Sequence, residues 1–140
     1  MEKRDYLMDQ IEQLGQSLAQ IFSKLFGLSK QGKVPEAIEM TSRSLKTELD
    51  LDLNEIASIP NGDFIITLQK DKKLNHTNLE LLADILLQVA DETCNDNLKS
   101  DESINLYSKC LEIYNHLNER DLTYSFVRES KIARIQSLLL

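Results

Sequence analysis

The sequence predicts an all-α chain, six to seven helices packed as antiparallel hairpins. Three observations predict it. Apolar residues recur every three or four positions along most of the chain, the period of a helix with one face in a core. Glycine and proline are scarce, four and two in 140 residues, which disfavours a turn-rich β fold. The stretch Ser29-Lys30-Gln31-Gly32-Lys33-Val34-Pro35-Glu36 reads as one helix ending at a glycine and another starting at a proline. Those are the two punctuation marks of a helical hairpin.

The elements follow in order. A first helix is expected over 5–30, where Leu7, Ile11, Leu14, Leu18, Ile21, Leu25 and Leu28 alternate spacings of four and three. Met8, Phe22 and Phe26 widen that stripe, and Gly15 and Ala19 allow a neighbour to approach closely. Asp5, Asp9 and Glu12 share a face that belongs in water. A second helix is expected over 34–49, with Pro35 in its first turn and Glu36 near the positive end of its dipole. Ile38, Leu45 and Leu49 form its apolar stripe; Ala37, Thr41 and Ser44 form a small-residue stripe beside it. The segment 50–73 is a less regular helical connector. Asp52-Leu53-Asn54-Glu55 has capping-box spacing for a short helix through Ser58. After the break at Ile59-Pro60-Asn61-Gly62, Asp63 to Lys70 reads as helix, because a lone strand would have no partner.

Thr77-Asn78-Leu79-Glu80 reads as a second capping box, opening a helix that ends near Cys94. That helix is apolar on more than one face and should be the most buried. Another runs from Ser100 to Leu117 with two apolar stripes, Ile104, Tyr107, Leu111, Tyr114 and Leu106, Cys110, Ile113, Leu117. A terminal helix is expected over 121–138, burying Tyr124, Val127, Ile132, Ile135 and Leu139. The second hairpin thus spans about 77–118.

The length suits a single domain over 1–140, large enough to fold without metal or disulfide. A net charge of −7 disfavours phosphate backbones, so no nucleic-acid partner is expected. No apolar run approaches a membrane span. Met1-Glu2-Lys3-Arg4-Asp5 leads straight into an amphipathic helix, unlike a signal peptide, so the expected compartment is the cytoplasm. Cys94 and Cys110 would be offset axially by roughly 13 Å on the two arms of a hairpin. A disulfide needs Cα atoms within about 7 Å, so both read as free thiols.

The hairpins resemble tetratricopeptide repeats. Gly32 and Ala37 match the glycine and small residue of that family, Thr41 stands where it has a large apolar residue, and Ser44-Leu45 match its small residue–leucine pair. Ser103, Tyr107 and Cys110-Leu111 match the same second-helix positions in the later hairpin, where the turn lacks the glycine. The spacing from Ala37 to Ser103 is about twice one repeat, so no regular tandem array is present. The start Met1-Glu2-Lys3-Arg4-Asp5-Tyr6-Leu7 is similar to that of short helical bacterial proteins, which implies no activity. The repeat resemblance implies a right-handed helical array that binds another protein or itself.

Candidate chemistry is sparse. His76 and His116 fall at the same end of the second hairpin, offset by roughly 4 Å. They could meet around a metal with Glu119 or Asp121, or be simply a surface pair. The loop 91–102 has the outline of a calcium loop but carries Asp96 where the glycine belongs and Thr93 at a ligand position; the run from Asp50 fails similarly. Cys110 lies on an apolar stripe and reads as a core thiol. Arg128, Lys131 and Arg134 recur at i+3 on the terminal helix and form the candidate partner-binding row. They could receive an acidic peptide, or face water and balance neighbouring acids.

The expected function is a noncatalytic protein–protein interaction module or small scaffold. No catalytic residue, cofactor or metal is assigned. The expected partner is a protein or peptide, with homodimerisation through the first helix as a further option. The alternative is a small-ligand-binding or enzymatic helical protein with a pocket between helices.

Overall fold

The computed structural model describes residues 3–94, 100–121, 123 and 125–140, with side chains from Tyr6 onward. The described residues form α1 (Lys3–Lys30), α2 (Val34–Leu49), α3 (Leu53–Ser58), α4 (Asn61–Ile66), a π-helical turn (Thr67–Asp71), α5 (His76–Thr93), α6 (Asp101–Arg120) and α7 (Phe126–Leu139). No strand occurs among them. The all-α expectation therefore holds, as do the bounds of α1, α2 and α3 within a residue or two.

Gly32 ends α1 in the left-handed region at φ 77°. Lys33 N–H reaches back to Leu28 C=O at 2.9 Å, and Gly32 N–H to Ser29 C=O at 3.1 Å. Any side chain at that φ would be strained, so the glycine is what lets the chain reverse in three residues. The capping box at α3 is present in full. Glu55 N–H donates to Asp52 Oδ1 at 2.8 Å, and Asp52 N–H to Glu55 Oε1 at 3.3 Å.

Three elements depart from expectation. Asn75, not Thr77, caps α5, its Oδ1 accepting from Asn78 N–H at 2.9 Å. This leaves the Asn78 and Glu80 side chains free for other helices. The expected helix over 63–70 starts at Asn61 and loosens into the π turn after Ile66. The terminal helix starts at Phe126, capped by Ser125, rather than at Asp121, whose extended backbone closes α6. As a result Val127 is exposed and Arg128 takes the buried position. Tyr124 lies outside the described residues.

The helices pack in the spatial order α2, α1, α5, α6, α7, with α3 and α4 laid on α6. Gly15 of α1 stands against Asn78 of α5, and Ala19 lines one surface groove with Leu81. That register sets α1 and α5 parallel. The core is contiguous: Leu18, Leu25, Leu45, Ile56, Phe64, Leu86, Tyr107 and Tyr114 belong to one buried cluster. In α2 the buried line is Ala37, Thr41, Leu45 and Leu49, so the small-residue stripe meets α1 while Ile38 is half-buried. α5 buries nine side chains on several faces and is the most enclosed of the helices, as expected.

Gly15 is required by the α1–α5 approach. A Cβ there would stand 2.8 Å from Asn78 Oδ1, and Asn78, 2% exposed, donates its Nδ2 to Ile11 C=O at 3.2 Å. Gly15→Ala is expected to destabilise by about 1 kcal/mol despite the higher helix propensity of alanine. In an Asn78→Ala background the same change should stabilise by about 1 kcal/mol, because the obstacle is gone. Equal effects in both backgrounds, measured by urea unfolding, would disprove the contact.

Candidate functional site

The basic row of α7 meets an acidic row on α5. Arg128 Nε donates to Glu80 Oε2 at 2.9 Å, and its Nη1 to Asp121 Oδ2 at 2.7 Å and Asn118 Oδ1 at 3.1 Å. Lys131 Nζ lies 2.9 Å from Asp84 Oδ1, and Arg134 pairs bidentately with Asp91 at 3.0 and 3.1 Å. Residue numbers rise together along both rows, so α7 runs parallel to α5. Two buried tyrosines of α6 complete the seam. Tyr107 donates its hydroxyl to Asp91 at 2.7 Å, and Tyr114 donates to Asp84 at 2.5 Å. Burial first, and these carboxylates second, push both phenols well above their ordinary range. Glu80, Asp84 and Asp91 are at i, i+4 and i+11 on α5, one face of a helix. That spacing is the signal by which the sequence could have found them. The carboxylates that the basic row balances are those of its own chain.

The two histidines meet, as their position at one end of the hairpin suggests. Their ring centroids are 6.4 Å apart in an edge-on arrangement. His76 Nδ1 is 3.3 Å from Asp121 Oδ1, and His116 Nε2 is 3.0 Å from Gln69 Nε2. Among the described residues, no group of three or more His, Cys, Asp or Glu side chains is placed to hold a metal ion. The run from Asp50 is taken up by capping: Asp52 serves α3, and Asp50 lies 3.5 Å from Lys46. The calcium-loop outline at 91–102 falls partly on 95–99, outside the described residues.

His116 gives the site a pH dependence. Burial lowers its pKa below the ordinary value, and the charges of Arg120 and His76 lower it further. The unfolded chain therefore binds this proton at a higher pH than the native protein does. Its contribution to stability is complete above about pH 6.5 and falls as pH drops through the lower native value. Melting temperature should decline over that window, and His116→Gln should flatten the slope. An unchanged slope in the variant would refute the assignment.

Sequence reading missed a buried cation. Lys109 of α6, 3% exposed, donates to Asn61 Oδ1 at 2.5 Å and stands 5.3 Å from the centre of the Phe64 ring. Burial lowers its pKa, and burial raises that of Glu112, whose Oε2 is enclosed with no hydrogen-bond partner among the described residues. Neither stands on the two apolar stripes of that helix. Lys109 became buried when α4 folded over α6, while Glu112 is half-buried. Cys110 is fully buried, its thiol 3.5 Å from Ala83 C=O, and burial pushes its pKa well up. It is a core thiol, and neither it nor Cys94 forms a disulfide.

A groove of about 400 Å³ opens beneath the first turns of α1, lined by Leu7, Ile11, Leu14 and Leu74 with Lys72 and Lys73 on its rim. It exists because α1 is 28 residues long and α2 only 16. The hairpin pairs α2 with the later part of α1, so the first turns overhang. Leu7, on the same stripe as the buried Leu18 and Leu25, is 42% exposed, and beside it Tyr6 and Met8 are 56% and 53% exposed.

The fold and this seam define an all-α protein of packed helical hairpins with an internal charge ladder. The chain matches no protein-family model, no curated protein and no solved structure. Among the described residues no helix is long and apolar enough to cross a membrane.

Proposed function

We propose that this protein is a noncatalytic protein-interaction module, a small tetratricopeptide-like, right-handed array of hairpins whose docking face is the groove under the α1 overhang. The parallel register of α1 and α5 and the Gly32 turn between α1 and α2 support the array. The single observation that carries the interaction reading is the apolar stripe of α1 left uncovered at Tyr6, Leu7 and Met8. Such a stripe over a shaped groove suits a helix laid into it. The basic row Arg128, Lys131 and Arg134 takes part only where a partner's carboxylates displace those of α5. Free Cys94 and Cys110 are consistent with a reducing compartment such as the cytoplasm.

Affinity capture from lysate, comparing the wild-type chain with Leu7→Glu, tests the proposal. A partner, or a second copy, held by the first and lost by the second supports it, provided that far-UV circular dichroism is unchanged. Identical captures would refute it. A second reading, a small-ligand site, is favoured by the groove volume, which is within the usual range for such pockets. Apolar-dye titration that saturates at one site and is abolished by Leu14→Glu would favour it.

A further inference from the structure

Resting on that interaction reading, we infer that acid opens the groove: a proton on His116 releases Gln69, and the wall that Gln69 ties down loosens its hold on what the groove contains. One side of the groove is α1. The other is the stretch 67–75, from which Gln69, Lys72, Lys73, Leu74 and Asn75 line it. The backbone of this wall is irregular. Lys72 N–H reaches Thr67 C=O at 3.2 Å, and Leu74 N–H reaches Leu68 C=O at 3.0 Å. Lys73 stands in the left-handed region at φ 57°, a strained place for a residue with a Cβ. Such an element opens locally before the rest of a fold does. Leu68 and Leu74 root its two ends in the core.

Between those roots a single side chain ties the wall to another helix. Gln69 Nε2 is 3.0 Å from His116 Nε2. Among the described residues, no other side chain of 67–74 makes a hydrogen bond or an ion pair. An amide nitrogen only donates, so this bond exists only while His116 Nε2 carries no proton. Protonation sets two donors face to face. The groups around the ring offer the new cation little. α5 presents His76, with ring centroids 6.4 Å apart. The end of α6 presents Arg120, with Glu119 as its nearest counter-charge. Asp121 is already engaged by His76 and by Arg128 of α7. The half-buried ring therefore turns toward water once charged and leaves Gln69. By linkage, the open wall takes the proton more readily than the closed one, so acid favours opening.

Amide hydrogen exchange of the full chain at about pH 7.5 and about pH 5.5, either side of the ordinary histidine value of about 6.5, tests this. After correction for the intrinsic rate, the amides of Lys72 and Leu74 should exchange about threefold faster in acid, the scale of one partly exposed hydrogen bond. Amides in the middle of α5 should keep their protection. His116→Gln should abolish the difference, and His76→Gln should retain it. Gln69→Glu should reverse it, because a carboxylate accepts from the imidazolium. No response in the wild-type chain would overturn the inference; an amide that merely turned over to offer its carbonyl oxygen would give that result. An equal response in α5, or one that survives His116→Gln, would overturn it too. Exchange needs no partner, so a flat response leaves the interaction reading to the capture by wild-type and Leu7→Glu chains. Identical captures with the expected exchange would remove that reading and leave the acid response of the wall in place.

Discussion

Arg128→Ala is expected to lower stability by about 3 kcal/mol, far more than removal of an ordinary surface charge. The side chain is 9% exposed and serves two carboxylates on different elements, Glu80 of α5 and Asp121 at the end of α6. It also bonds Asn118, which in turn donates to Glu129 at 2.6 Å. Removing the guanidinium strands Glu80, two thirds buried, without its cation. It also lifts the cause that holds Asp121 below its ordinary range, chiefly its hydrogen bond to Arg128. Arg128→Lys should recover less than half of the loss, because an ammonium cannot fork between Glu80 and Asp121. Lys131→Ala and Arg134→Ala, at half-wet pairs, should each cost under about 1 kcal/mol. Urea unfolding of the four variants checks the ranking; equal small losses at all three positions would show that α7 is not pinned at Arg128.

Tyr114→Ala should cost about 4 kcal/mol, the scale of a large aromatic deleted from a core. The ring has no exposed surface, and its hydroxyl ends on Asp84, which also receives Lys131. The Lys131 ammonium stands 5.7 Å from the centre of the same ring. The side chain therefore joins the apolar core to the charged seam. Tyr114→Phe keeps the ring and removes the donor, so it should cost only about 1 kcal/mol. Thermal unfolding of the pair separates the two contributions. A Tyr114→Phe loss as large as that of Tyr114→Ala would mean that the hydrogen bond, not packing, dominates.

These positions show which features were legible along the chain. Gly32 and Pro35 marked the first hairpin because turns and first helical positions restrict backbone chemistry locally. Asp52 and Glu55 marked α3 for the same reason. The cap of α5 was misread because Thr77 has capping-box spacing to Glu80, while Asn75, the stronger N-cap, stands two residues earlier. Asn78 then faces α1 and Glu80 faces α7, and both choices depend on helices far away in sequence. Val127 read as a core position and Arg128 as a wet one. The opposite holds because a triplet of carboxylates at Glu80, Asp121 and Asp84 awaits the α7 face that carries Arg128 and Lys131.

The order of apolar residues by itself determined that this chain folds as packed helices, where its first hairpin turns, and that Cys110 lies in the core. Those outcomes depend on period and local geometry, which a one-dimensional pattern carries. Only the tertiary structure decided that the basic row of α7 closes on α5, that Lys109 is enclosed, and that Tyr6, Leu7 and Met8 are left outside. The reason is physical: a charge or an apolar side chain is buried or bare according to which distant helix is long enough to reach it.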